Sequence, residues 1–286
     1  MASSFEDSEL TRLFARRAGS GTKRSRTVIT SLASKLRRTA RCGTAADLLE
    51  KLRQKRGVAE VVYLDNLRCD GFLEPRGRSF SDGFRVFINP SLPAVRRNFT
   101  LAHELCHTFF YEYVPEIKFT PHETDRSEES LCNLGAGEIL MPSAALTRRA
   151  KALPTCLRSL EELAVLYEVS TDAMLTRLRV LKLWGAELSY WTLLMNGRFA
   201  VERVTAVRNN IEWRWVEENI PAKAWETGQT LSGITAIEGK DHAGRRYVRE
   251  LSFEMQRRSN RLVVLWGPSV KPSSSSLPLL TMKRPS

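Results

Sequence analysis

Residues 101–110 read Leu-Ala-His-Glu-Leu-Cys-His-Thr-Phe-Phe, and they hold two of the four histidines of a 286-residue chain. Val95, Phe99, Ala102, Cys106 and Phe109 recur at spacings of four, three, four and three, which predicts a helix with one apolar face. Ser91 is the expected cap of that helix and Pro93 the expected occupant of its first turn. On a helix, His103 and His107 stand one turn above each other, so both imidazoles can approach a single ion. Glu104, the next residue after His103, can address the open side of that ion and take a proton from water there. The His-Glu-x-x-His pattern therefore points to a metallohydrolase centred on this helix.

A catalytic zinc site takes a third protein ligand. Downstream candidates are His122, Glu123, Asp125, Glu128, Glu129 and Glu138. Glu129 and Asn133 lie one helical turn apart, so Glu129 can bind the metal while Asn133 orients a ligating histidine. Glu128 with Cys132 repeats that spacing one residue earlier and is chemically the less attractive pair. The longer metzincin pattern fails, because Phe110 and Tyr113 stand where its glycine and third histidine belong. His122 is expected in a loop; His122, Tyr111 and Arg126 are candidates for oxyanion or substrate contact. Zinc suits two imidazoles and a carboxylate, and manganese is also accommodated by that set.

Outward from this centre, Thr44–Gly57 has helical periodicity with Gly57 as its stop, followed by a strand at Val58–Leu64. Phe84–Ile88 is a short apolar strand ended by Asn89-Pro90. A second helical stretch covers Leu131–Met141, with Pro142 ending it or starting the next. Ser159–Trp184 reads as two helices, the first capped by Ser159 with Glu162 and the second by Ser170 or Thr171, a helix-turn-helix-like pair. All six tryptophans lie at Trp184 or beyond. Asn196-Gly197 between apolar runs signals a hairpin, 211–216, 245–255 and 260–266 add strands, and a helix is expected around Pro221–Glu226.

Lys and Arg number 44 against 32 acids, a formal charge of +12, which favours non-specific attraction to nucleic acid. Nine of those cations fall in residues 1–40, which read as a partly flexible basic arm. The start of the second helix of the helix-turn-helix-like pair, Thr171-Asp172-Ala173-Met174, suits base reading poorly, so packing is its expected role. The five cysteines are odd in number and dispersed, as in a reducing compartment. No apolar run is long enough for a membrane span, and no signal-like segment opens the chain. A cytoplasmic protein with no membrane partner is expected.

Arg96–His107 together with Glu128–Pro142 resembles the ImmA/IrrE family of metallopeptidases, and the Glu129–Asn133 spacing resembles the zinc-binding element of thermolysin-like peptidases with asparagine in place of aspartate. The resemblance implies zinc ligands at His103, His107 and Glu129, a general base at Glu104, and a supporting role for Glu138. Gly135 and Gly137 depart from the family pattern at positions that bear on helix rigidity. The two-helix stretch and the strand-rich end also resemble the radiation-response branch. A helix-turn-helix repressor is the implied substrate, with release of stress and DNA-damage-response genes as the implied consequence. Phe84–Ile88 is the expected edge strand for that substrate.

The expected architecture is α+β and multidomain: a basic arm (1–40), a zincin-like metallopeptidase core (41–150), helix-turn-helix-like helices (151–186), a GAF-like sheet domain (187–270) and a tail (271–286). The rival function is a DNA-binding transcriptional regulator that uses the peptidase fold as a sensing scaffold.

Overall fold

The computed structural model describes residues 8–40, 43–77, 80–114, 126–205, 213–240 and 245–269. They divide into two compact units, 1–154 with 158–183, and 155–157 with 184–286. The expected tail, His122 with its expected loop, and Cys42 lie outside the described residues.

The first unit opens with α1 (Glu9–Arg17) and α2 (Thr22–Arg38). The described part of the expected partly flexible arm is thus helical. Leu10 and Phe14, then Ile29, Ala33 and Leu36, are buried at helical spacing, so an apolar stripe runs beneath the charge. The Phe14 ring lies 4.5 Å from that of Phe110 and 5.0 Å from that of Tyr113. The density of Lys and Arg hides this stripe from a reading by composition.

Next come α3 (Ala45–Lys55), capped by the Thr44 hydroxyl accepting from the Asp47 amide at 3.1 Å, and β1 (Val58–Tyr63). Gly57, left-handed with φ +66°, makes the turn between them. β2 (Gly71–Pro75) and β3 (Phe84–Ile88) complete a sheet of order β1-β3-β2, β3 parallel to β1 and antiparallel to β2. Phe84–Ile88 is thus the central strand and not an edge. Its run of buried Phe84, Val86 and Ile88 fits a strand paired on both sides. The edges are β1 and β2, and the Gly and Pro of β2 concealed it in the sequence.

The helix with the His-Glu-x-x-His pattern is α4 (Ala94–Tyr113). Ala102, Cys106 and Phe109 are buried as the spacing predicts, while Val95 and Phe99 are half-buried. Its cap position is Pro93 and not Ser91. Ser91 is drawn back to the strand end, its amide and hydroxyl both donating to Asn89 Oδ1 at 2.9 and 2.7 Å. α5 (Arg126–Leu140) packs against α4 and α2, and Pro142 takes the cap position of α6 (Ser143–Lys151).

The helix-turn-helix-like pair is α7 (Leu157–Leu166) and α8 (Thr171–Val180). Ser170 caps α8, its hydroxyl accepting from the Ala173 amide at 3.1 Å. Ser159 does not cap α7, since the helix starts two residues earlier and Ser159 is buried within it. The pair is no separate domain, because nearly all of it belongs to the same compact unit as α4 and α5. Arg177 of α8 is buried and donates to Glu138 of α5 and to the Met141 carbonyl, a bond that α8 could not keep as an independent module.

The second unit is a six-stranded antiparallel sheet with one helix, α9 (Asn219–Thr227), among its described residues. Its strands are β4 (Glu187–Leu193), β5 (Phe199–Val204), β6 (Arg214–Trp215), β7 (Leu231–Lys240), β8 (Arg246–Arg258) and β9 (Arg261–Ser269), in the order β5-β4-β9-β8-β7-β6. The Asn196-Gly197 hairpin forms, with Leu194 and Arg198 bonded across a three-residue turn and Gly197 at φ +78°. β7 was not expected, its short side chains and two glycines giving little strand signal. Trp191, Trp213, Trp215 and Trp266 fill the core, and the indoles of Trp191 and Trp266 both donate to Ser189 Oγ at 2.7 Å.

Candidate metal centre

His103 and His107 arise from adjacent turns of α4, and their Nε2 atoms lie 3.1 Å apart. Two nitrogens bound at zinc distances of about 2.0–2.1 Å in tetrahedral geometry would stand roughly 3.3 Å apart. The imidazole pair therefore already has the spacing that one ion requires.

The first turns of α5 face this pair. Glu129 Oε2 lies 3.1 Å from His103 Nε2, and its Oε1 lies 3.6 Å from His107 Nε2. Asn133 Oδ1 lies 3.1 Å from His103 Nδ1. The structure thus brings His103, His107, Glu129 and Asn133 together in the arrangement the spacing predicts. Each histidine has its Nε2 turned toward Glu129 and its Nδ1 held by an acceptor on α5.

The acceptor for His107 is one the sequence reading set aside. Glu128 Oε1 is 2.8 Å from His107 Nδ1, and the Glu128 side chain is fully buried. A buried carboxylate against Nδ1 fixes the ring's tautomer and makes its Nε2 a better donor to a metal. Helix α5 therefore uses consecutive acids differently: Glu128 points behind the imidazoles and Glu129 in front of them. The available signal was the adjacency itself, because neighbouring helical positions are separated by about 100° around the axis.

Cys132 offers another donor, its sulfur lying within 4.8 Å of ligand nitrogens of both histidines. Burial pushes its thiol well above the usual range, which opposes the thiolate a metal needs. Glu129 lines the open cleft and Cys132 does not. The donor chemistry and the access therefore favour His103, His107 and Glu129 as the set able to hold an ion, with the water side facing the cleft.

That cleft has a volume of about 730 Å³ and is lined by Gly71 and Phe72 of β2, Phe99, Glu104 and Tyr111 of α4, and Glu129, among others. Glu104 is buried on the helix between the histidines. Burial pushes its carboxyl above the usual range, and the His107 and His103 charges pull it back. A carboxylate with raised proton affinity beside a metal position is suited to collect and return a proton. Tyr111 is buried and lines the cleft, and burial holds its phenol in the protonated, donating form. Arg126, at the exposed start of α5, is not among the cleft residues.

Strand β2 is set beside the site by two contacts. Arg96 at the head of α4 makes a bidentate pair with Asp70, at 2.6 and 3.0 Å, just before β2 begins. Gly71 then passes so close to α4 that a Cβ would sit 2.7 Å from Thr100 Cγ2.

The two unusual glycines of α5 serve close approach as well. A Cβ at Gly135 would lie 2.6 Å from Cys106 Sγ, so α5 can lie this near to α4 only without a side chain there. A Cβ at Gly137 would lie 3.4 Å from Arg177 Cδ, where the guanidinium passes to reach Glu138. Glu138 also accepts from Ser34 Oγ of α2 at 2.8 Å and from the Ser143 amide at 3.3 Å. It anchors the far end of α5 and does not reach the histidines.

This motif and its setting match a known family model, the IrrE N-terminal-like domain, over residues 73–179. That stretch is similar to the Peptidase_M78 family. The matched stretch contains β3, helices α4 to α7 and most of β2 and α8, hence His103, Glu104, His107, Glu128, Glu129 and Asn133, while Gly71 and Phe72 of the cleft precede it. The match suggests metallopeptidase activity for this stretch. No curated protein matches the chain. Among solved structures, a Mycobacterium tuberculosis transcriptional regulator is 17% identical, covering 91% of this chain and 80% of its own at a TM-score of 0.46. No helix among the described residues is long and apolar enough to cross a membrane.

Proposed function

We propose that the protein is a zinc-dependent endopeptidase that acts in the cytoplasm, cutting a helix-turn-helix transcriptional repressor at a defined site and thereby releasing stress and DNA-damage-response genes. The observation that carries this reading is the convergence of His103 Nε2, His107 Nε2 and the Glu129 carboxylate at the floor of an open cleft, with Glu104 beside them.

His103, His107 and Glu129 hold the ion in this reading. When bound, zinc supplies Lewis acidity toward a peptide carbonyl and toward water. Glu104 takes a proton from the attacking water and passes it to the departing amine. Glu128 and Asn133 keep the two imidazoles turned toward the ion. A substrate segment pairs with the free edge of β2, which leaves its carbonyls beside α4; an extended peptide adds there as a fourth strand. Zinc is favoured over manganese because four-coordinate sites built from imidazole and carboxylate suit it. The second unit, a GAF-like signal sensor in this reading, supplies the regulation expected of the radiation-response branch.

The purified protein should carry close to one equivalent of zinc, and the His103→Ala/His107→Ala double variant none. Glu104→Gln should keep the metal and lose cleavage of the repressor. Retained metal in the double variant, or wild-type cleavage by Glu104→Gln, overturns the assignment.

A further inference from the structure

Residues 8–40 carry nine Lys and Arg against a single acid, Glu9, and so hold eight of the chain's twelve net positive charges. They precede the stretch that matches the M78 family and take no part in the metal centre. α2 buries Ile29, Ala33 and Leu36 and turns Arg24, Ser31, Lys35 and Arg38, spaced seven, four and three residues apart, to the opposite face. Every fully exposed residue of α2 is Lys, Arg, Ser or Thr.

Lys35, Arg37 and Arg38 in the last turn of α2 suit the helix dipole, but the charge at its head does not serve the helix. Its first turn holds Lys23 and Arg24 and no acid, although cations there oppose the helix dipole. Among the described residues, no acidic side chain pairs with Lys23, Arg24, Arg26, Lys35 or Arg38.

We propose that the outer face of α2 binds the phosphate backbone of duplex DNA. From Arg24 to Arg38 the stripe runs about 21 Å along the helix, at about 1.5 Å per residue. Duplex DNA presents one negative charge per ~1.7 Å along its axis, so the stripe meets several phosphates at once. Lys, Arg, Ser and Thr are the side chains that contact phosphates. The exposed positions of α2 hold no apolar or aromatic residue to form the core of a protein interface or to insert into a bilayer. The contact is independent of sequence, since nothing on this stripe is placed to read bases. It differs from recognition through α8, whose Arg177 is buried against Glu138. The proposal stands whether or not the metal centre is a peptidase.

The test is fluorescence anisotropy of the full chain with a labelled 20-base-pair duplex of mixed sequence, from 50 to 200 mM KCl. Arg24→Gln/Lys35→Gln/Arg38→Gln should weaken binding by about tenfold or more at 100 mM and flatten the salt dependence by about 0.9 per cation removed. Arg24→Lys/Lys35→Arg/Arg38→Lys should retain both. A control with equal charge loss in the second unit, Arg198→Gln/Arg246→Gln/Arg249→Gln, should bind as wild type. Equal loss in the control, an unchanged salt slope in the α2 triple, or polyglutamate binding as tight as the duplex would each overturn the proposal.

Discussion

Glu128 and His107 meet through a 2.8 Å contact between Oε1 and Nδ1, in a position closed to solvent. The contact holds one metal-facing imidazole from behind, using an acid adjacent to the one that faces the ion. Its removal should be felt at the metal. Glu128→Ala should lower zinc affinity by about 10- to 100-fold, the usual effect of losing such a partner. Glu128→Gln, which keeps a carbonyl acceptor, should lose less. Competition with a chromophoric chelator measures both.

The same contact sets a proton inventory. Burial disfavours the His107 imidazolium, but the Glu128 hydrogen bond and the charges of Glu104, Glu128 and Glu129 outweigh it, raising the group to about 9 in the metal-free protein. An unfolded histidine titrates near 6.5, so this group stabilises the metal-free fold fully below about pH 6.5, and the contribution is lost as pH rises through 9. A metal needs the neutral ring, so loading at pH 7.5 should release close to one proton from His107. Calorimetric titration of zinc in two buffers of different ionisation enthalpy reads that number. No proton release would mean that His107 is already neutral.

Gly135 sets how near α5 lies to α4. Gly135→Ala places a methyl group 2.6 Å from Cys106 Sγ, closer than the two atoms can pack. Overpacking of this kind costs about 1–3 kcal/mol. Because Glu128, Glu129 and Asn133 ride on the same helix, zinc affinity should fall along with thermal stability. Pairing the change with Cys106→Ala, which clears the space, should restore part of both, and a double-mutant cycle of melting temperature and chelator competition checks the coupling.

Arg177 and Glu138 form an ion pair with both side chains buried. Burial lowers the proton affinity of the Arg177 guanidinium, and Glu138 counters this. Removing one partner strands the other, so Arg177→Met or Glu138→Leu alone should cost about 3–5 kcal/mol of unfolding free energy. The double change should cost far less than the sum. Urea unfolding of the metal-loaded protein distinguishes these outcomes, and strict additivity would show that the two groups do not depend on each other.

The local features of the site were legible before any coordinates. His103 and His107 lie one turn apart in any α-helix, and Glu129 and Asn133 repeat that spacing, so the donor set followed from backbone geometry. The hairpin at Asn196-Gly197 and the cap at Ser170 were legible for the same reason. Less legible were elements whose evidence is diluted: α1 and α2, where an apolar stripe is outnumbered by cations, and β2 and β7, where glycine weakens the strand pattern. The reading of Phe84–Ile88 as an edge failed because a short apolar run does not reveal how many strands flank it.

The order of residues along the chain determined which groups could share an ion, since the pitch of a helix is the same in every protein. Tertiary packing decided the rest: that Glu128 backs His107, that Gly135 lets α5 draw close to α4, that β2 borders the cleft, and that Arg177 faces inward. Each of these depends on the separation and rotation of segments distant in sequence, and those are set by side chains meeting across the core.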